Sequence, residues 1–420
     1  MNEITKKLPQ RLFGSELKAV MTNYPNYDPA DREKSPPERQ DLLSVLYDIY
    51  VPSEMSLEIY GKLYFCMKCS LDRKFEATQL IQGTNRRLSD IIELQSVAGG
   101  KDSFSIIGAP GIGKTQAVKR SVALFSENGL IEIKKPYTVI APYIMVEVPS
   151  DCSVKSLIRK MINAIDSKLG TSYSEQVEHS RITTNGLISL LSRLCKDHVG
   201  LIIIDEIEYV IRRKEGLSIV NFLTELTNST GVGICLIGTP ECKIILYKTE
   251  YLARRTFGLH YDRLEYNDYF QELCHTLFQY QYTKIETTLN ETILDWIYQH
   301  SGGSVSNIVA LIVEAQDLAI QTGSEKLDLN SLKMAYDRRL ESIKRHIDPY
   351  QVYTPRTSKP TSIKTLKKRL PKINEDKTVR DDTELIIEAI KRAKTNNGDL
   401  VEILKGFFAV EEISTKGAVF

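Results

Sequence analysis

Short aliphatic runs bounded by glycine, proline or acidic residues recur along the middle of the chain: Ser103-Phe-Ser-Ile-Ile107, Tyr143-Ile-Met-Val-Glu-Val148, Val199-Gly-Leu-Ile-Ile-Ile-Asp-Glu206 and Gly233-Ile-Cys-Leu-Ile-Gly238. A continuous apolar run suits a strand covered on both faces, which is the setting of a parallel sheet. Between the runs the apolar period lengthens to that of a helix, over 115–125, 154–168 and 217–228. In 154–168, Val154, Leu157, Ile158, Met161, Ile162 and Ile165 share one face, and Lys155, Arg159 and Lys160 occupy the other. The pattern predicts an α/β domain around a central parallel five-stranded sheet, with its last strand over 257–264 and a helical segment over 268–340.

Outside that stretch the periodicity weakens. Residues 1–40 are polar and rich in turn formers, as in Tyr24-Pro-Asn-Tyr-Asp-Pro29 and Ser35-Pro-Pro-Glu38, and read as an arm without a core. Apolar residues return at Leu42, Leu43, Leu46, Ile49, Met55 and Leu57 around Pro52, and a helix is expected over 76–92. Tyr47, Tyr50, Tyr60, Tyr64 and Phe65 either pack inside this region or offer a partner surface. Past 340 the chain turns rich in Pro, Ser, Thr and Lys, with a basic knot at Lys364-Thr-Leu-Lys-Lys-Arg-Leu-Pro371, which is the composition of a linker. Leu385, Ile386, Leu400, Ile403, Leu404, Phe407 and Phe408 are too few for an independent core, so this tail is expected to dock on a partner protein. The expected division is a helical N-terminal region over 1–95, a nucleotide-binding α/β domain over 96–266, a helical lid over 267–345, and a basic linker and tail over 346–420.

Composition narrows the picture less than pattern does. With 55 Lys and Arg against 54 Asp and Glu, the net charge of +1 neither demands nor excludes nucleic acid, so any basic surface must be local. Lys155, Arg159 and Lys160 are the candidate, as contacts to DNA phosphates or as an ordinary solvated face. The polar start lacks an apolar leader and no later run reaches ~18 apolar residues, so the chain is expected in the cytosol, away from any membrane. Seven scattered cysteines suit reduced thiols, and Cys66-x-x-Cys69 lacks the further ligands a structural zinc site needs.

Candidate chemistry concentrates where the first strand ends. Gly108, Ala109, Pro110, Gly111, Ile112, Gly113, Lys114, Thr115 and Gln116 fit Gly-x-x-x-x-Gly-Lys-Ser/Thr at every fixed position, between an expected strand and an expected helix. The glycines let backbone N–H groups face phosphates, Lys114 reaches the β- and γ-phosphates, and Thr115 holds Mg²⁺ through its hydroxyl. ATP and Mg²⁺ are therefore the expected cofactors. Asp205 ends the most apolar strand and is placed to hold Mg²⁺ opposite Thr115, with Glu206 beside it to polarise an attacking water. Thr239, at the tip of the next strand, is the candidate to orient that water. Arg254 and Arg255 are either surface arginines or a finger reaching a neighbouring subunit's γ-phosphate.

The order of these motifs resembles the AAA+ ATPases. Ile203-Ile-Asp-Glu-Ile-Glu208, Asn221-Phe-Leu-Thr-Glu-Leu226, Leu236-Ile-Gly-Thr-Pro-Glu241, Ala253-Arg-Arg-Thr-Phe257 and the lid stretch Ile297-Tyr-Gln-His-Ser-Gly-Gly-Ser-Val-Ser-Asn-Ile-Val-Ala-Leu311 are more narrowly similar to the TnsC/TniB/MuB transposition regulators. The resemblance spans about 95–340. It implies an ATPase, slow and used as a switch, that binds double-stranded DNA with little regard to sequence. It also implies a homo-oligomeric ring or helical filament, a hexamer or heptamer per turn, that meets transposase subunits and a target-selector protein. Where AAA+ lids usually offer an arginine, Gly303-Ser-Val-Ser306 offers serine, a departure that suits a switch better than a motor. A signalling or defence ATPase and a replication-initiator or helicase-loader ATPase are the alternatives.

Overall fold

A computed structural model describes residues 5–83, 103–125, 129–134, 137–179, 182–210, 216–246 and 258–339. The chain divides into two compact units, Met1–Thr354 and Pro355–Phe420, and every described residue lies in the first. The tail assigned to partner docking lies outside the described residues.

Six strands form one sheet: β1 (Ser103–Gly108), β2 (Ile131–Lys134), β3 (Tyr137–Glu147), β4 (Val199–Asp205), β5 (Gly233–Gly238) and β6 (Leu259–Tyr261), in the order β2-β3-β4-β5-β1-β6. β3, β4, β5, β1 and β6 run parallel, which is the expected five-stranded core. Every residue of β4 is buried, as its unbroken aliphatic run requires. The sixth strand is an addition to the sequence reading: β2 pairs antiparallel with β3 at the edge. Its Ile-Glu-Ile-Lys alternates and is short, so it carries no continuous apolar signal. β3 also begins earlier than expected, at Tyr137, and β6 is only three residues long.

The helices are α1 (Gly14–Met21), α2 (Pro36–Leu42), α3 (Glu54–Gly83), α4 (Lys114–Phe125), α5 (Val154–Leu169), α6 (Tyr173–His179), α7 (Thr184–His198), α8 (Gly216–Thr230), α9 (Lys243–Leu246), α10 (Asp268–Gln279), α11 (Glu291–Ser301), α12 (Val305–Thr322) and α13 (Leu329–Arg339). One sheet face packs against α5, α7 and α8 through Ile144, Ile202, Ile204, Leu157, Met161, Leu191 and Leu223. The other packs against α3 and α4 through Phe104, Ile106, Leu201, Ile203, Leu63, Met67, Val118 and Val122. Helix ends are punctuated as local chemistry dictates: the Ser153 and Thr183 hydroxyls cap α5 and α7, and Gly170, Gly302 and Gly323 close α5, α11 and α12 in the left-handed conformation.

Residues 1–40, read as an arm without a core, contribute to one, and the apolar stretch after them packs as well. Leu8, Leu17 and Met21 are buried with α3 and α4, while Leu43, Leu46, Ile49 and Val51 join the core of α10, α11 and α12. One segment thus reaches two of the three hydrophobic clusters. The expected helix over 76–92 is the end of the longer α3, as far as Gly83, and 84–92 lie outside the described residues. The aromatic cluster splits: Tyr60 and Tyr64 are buried and meet Phe125 in tilted and edge-on ring contacts, whereas Tyr47 and Phe65 are exposed.

Candidate nucleotide-binding site

The site forms where β1, β4 and β5 end side by side. Ile107 pairs with Gly238 in the last rung between β1 and β5, so the loop after β1 begins next to the tip of β5. Gly113 takes φ +94 and Gly111 φ +76, values an L side chain rarely adopts. The turn delivers the chain into α4, where Ala117 N–H donates to Gly113 O at 2.9 Å. Lys114 Nζ lies back over the loop, donating to Gly108 O at 2.7 Å and Ala109 O at 2.8 Å. Burial pushes the Lys114 ammonium's pKa down, opposed first by the charge of Glu208 and then by Asp205. Gln116 is exposed on the first turn of α4, Pro110 is exposed at the crest of the loop, and Ala109 and Ile112 are buried beneath it.

Thr115 Oγ1 donates to Asp205 Oδ2 at 2.7 Å, joining the start of α4 to the end of β4. Asp205 is buried, and its other oxygen accepts from Glu206 N–H at 2.8 Å. These two oxygens fit Mg²⁺, which takes one or two protein oxygens and completes its shell with phosphate and water. Among the described residues no group of three or more His, Cys, Asp or Glu is arranged to hold a metal alone.

Glu206 sits at φ +59, one of three non-glycine positions with positive φ among the described residues. Its half-exposed carboxyl titrates above the ordinary value, chiefly through burial and then through Glu147, Asp205 and Glu208, with Lys160 opposing. Thr239 follows β5, and its buried Oγ1 has no partner but the weak thiol of Cys242. Glu208 Oε2, of a residue the sequence reading did not single out, is buried without a hydrogen-bond partner. Its signal was available only as a third acid in Asp205-Glu-Ile-Glu208.

The lid reaches the phosphate loop directly. Ser306 N–H donates to Gly111 O at 3.0 Å, Ser304 Oγ lies 3.3 Å from the same oxygen, and the two hydroxyls are 3.0 Å apart. A Cβ on Gly111 would collide with both hydroxyls. Leu264 N–H donates to Gly303 O at 2.9 Å, fixing the lid turn to the segment after β6.

Arg254 and Arg255 lie outside the described residues. Lys155, Arg159 and Lys160 are exposed along α5, with Lys160 Nζ donating to Glu147 O at 3.2 Å. They form a face separate from the strand tips, apart from Lys160, which approaches Glu206. Among the described residues no helix is long and apolar enough to cross a membrane.

Fold and site together define an AAA+ P-loop domain, and residues 97–246 match the family model described as AAA domain. Such a domain implies nucleotide binding, typically with Mg²⁺. The chain is similar to the Aeropyrum pernix ORC1 protein in complex with DNA, at 15% identity over 66% of this chain and 68% of that one, TM-score 0.41. It is similar to Drosophila ORC bound to DNA at 14% identity over 71% and 70% of the two chains, TM-score 0.38. Domain III of the Thermotoga maritima replication initiation protein DnaA aligns at 14% identity over 56% and 83%, TM-score 0.35. No curated protein matches the chain.

Proposed function

We propose that this protein is an ATP-dependent, DNA-binding AAA+ regulator of DNA transposition that oligomerises on target DNA and links target selection to a transposase, as the TnsC/TniB/MuB resemblance implies. The observation that carries the switch reading is the lid contact: Ser304 and Ser306, not an arginine, meet Gly111. Neutral hydroxyls stabilise charge on a transferring phosphoryl group less than a guanidinium does, which suits slow hydrolysis. Exposed Lys155, Arg159 and Lys160 supply a face for duplex phosphates that carries no base recognition.

In the hydrolysis step Lys114 turns from its loop carbonyls to the β- and γ-phosphates. Thr115 and Asp205 would hold Mg²⁺, which when bound neutralises charge on the phosphate oxygens. Glu206 takes a proton from the attacking water, Thr239 orients that water, and Arg254 or Arg255 from a neighbouring subunit completes the site.

Lys114→Ala is expected to abolish ATP binding measured by calorimetry, because the phosphates lose their fixed positive charge; unchanged affinity would overturn the nucleotide site. The transposition role has its own test, since residues 346–420 are proposed to meet the transposase. A chain ending at 345 is expected to keep ATP-dependent DNA binding and to lose capture of transposase subunits. Lost DNA binding with retained capture would reverse those roles.

A further inference from the structure

We propose that Glu208 is a further catalytic residue of this ATPase: its Oε2 and Thr239 Oγ1 together hold the attacking water at the adjoining tips of β4 and β5. The proposal rests on the nucleotide-site reading and adds a residue to it.

Three observations converge on this place. Glu208 Oε2 is buried without a hydrogen-bond partner, and Thr239 Oγ1 is buried with no partner but the weak thiol of Cys242. Buried polar oxygens are almost always bonded, so an unpaired carboxylate oxygen beside a hydroxyl held only by a thiol suits a shared ligand with a proton to give. Glu208 Oε2 would stand 3.1 Å from a Cβ on Gly238, which places the carboxylate over the end of β5, immediately before Thr239. Gly238 is paired with Ile107, the residue before the phosphate loop, so the carboxylate lies beside the loop that cradles the phosphates.

The chemistry assigns each acid a separate part. Water gives one hydrogen bond to Glu208 Oε2 and the other to Glu206, and the Thr239 hydroxyl donates to the water oxygen. Glu206, two residues earlier in the same turn, receives the proton as the water oxygen attacks the γ-phosphorus. The bond from that phosphorus to the bridging oxygen breaks and its electron pair leaves with ADP, giving ADP and inorganic phosphate. Glu208 thus fixes direction while Glu206 fixes proton inventory.

The experiment is a double-mutant cycle on the full chain with Glu208→Ala, Thr239→Ala and both together, reading turnover at saturating ATP and ATP affinity by calorimetry. Glu208→Ala is expected to cut turnover by roughly a hundredfold, with affinity within about threefold. Two groups that hold one water should not act independently, so the double variant should fall little below the worse single variant. Glu208→Gln keeps the side chain's shape and one acceptor oxygen, and should recover part of the turnover; it also carries the test if the alanine variant fails to fold. Wild-type turnover in Glu208→Ala, losses that multiply in the double variant, or affinity falling in step with turnover would each overturn this role and leave the nucleotide site standing. A wild-type chain that binds no ATP would overturn the underlying reading itself.

Discussion

At the scale of single residues, Gly111 shows how one position serves two partners. Its φ of +76 suits the phosphate loop, and the bare Cα leaves room for the hydroxyls of Ser304 and Ser306. Gly111→Ala should therefore cost about 1–3 kcal/mol in backbone strain alone, and it should also push the lid away from the loop. Thermal unfolding with and without ATP reads both effects: a lower midpoint and a smaller ATP-induced rise are expected. An alanine variant with unchanged values would mean that the loop and lid adapt freely. The loop itself was legible because its residues stand at fixed spacing along the chain. Ser304 on Gly111, and Glu208 over Gly238, arise from contacts through space, and no spacing rule encodes them.

At the scale of elements, the N-terminal segment acts as a brace. Arg39, in α2, is fully buried and donates to both oxygens of Glu325 at 2.7 Å, and to Tyr282 O at 2.9 Å. Glu325 follows the Gly323 cap of α12 and holds φ +54. Around this pair, Arg32 bonds Glu286 and Lys18 bonds Glu272, exposed contacts of small individual weight. The polar composition of 1–40 concealed all this, because the arginine and its partner are 286 residues apart. Removing the arginine leaves a partly buried carboxylate without its fork of donors, so Arg39→Met should lose about 3 kcal/mol in urea unfolding at pH 7.

The same pair sets a pH dependence. The hydrogen bonds from Arg39 hold the Glu325 carboxyl below its ordinary value of 4.5, against the opposing effect of burial. A carboxyl depressed in the folded chain contributes its full stability above the unfolded value, and loses it as pH falls through the folded one. The wild-type chain should thus lose this contribution below about pH 4.5, and Arg39→Met should show a flatter acid limb. Equal acid sensitivity in the two proteins would show that the pair carries no linkage.

At the scale of the whole molecule, the proposed assembly on DNA puts two kinds of interaction to work at once. The strands with unbroken aliphatic runs made the α/β core legible, and the basic face of α5 was legible as periodicity; assembly depends on surfaces between copies, which one chain's pattern does not contain. Glu206→Gln separates the terms. It keeps the shape of the turn and leaves Asp205 and Thr115 in place, while removing the carboxylate proposed to take the proton. ATP should then remain bound and unhydrolysed, so complexes on duplex DNA should outlive those of the wild type. Their affinity should be nearly indifferent to sequence and fall steeply with salt, because each phosphate neutralised by Lys155, Arg159 or Lys160 releases counterions. Replacing all three with alanine should flatten that salt slope by about 3 in log–log terms. Electron microscopy with ATP and duplex DNA gives the direct view: regular rings or filaments around DNA are the expected result. Nucleotide-dependent oligomers that form equally well without DNA would point instead to a signalling ATPase, whose assembly needs no template.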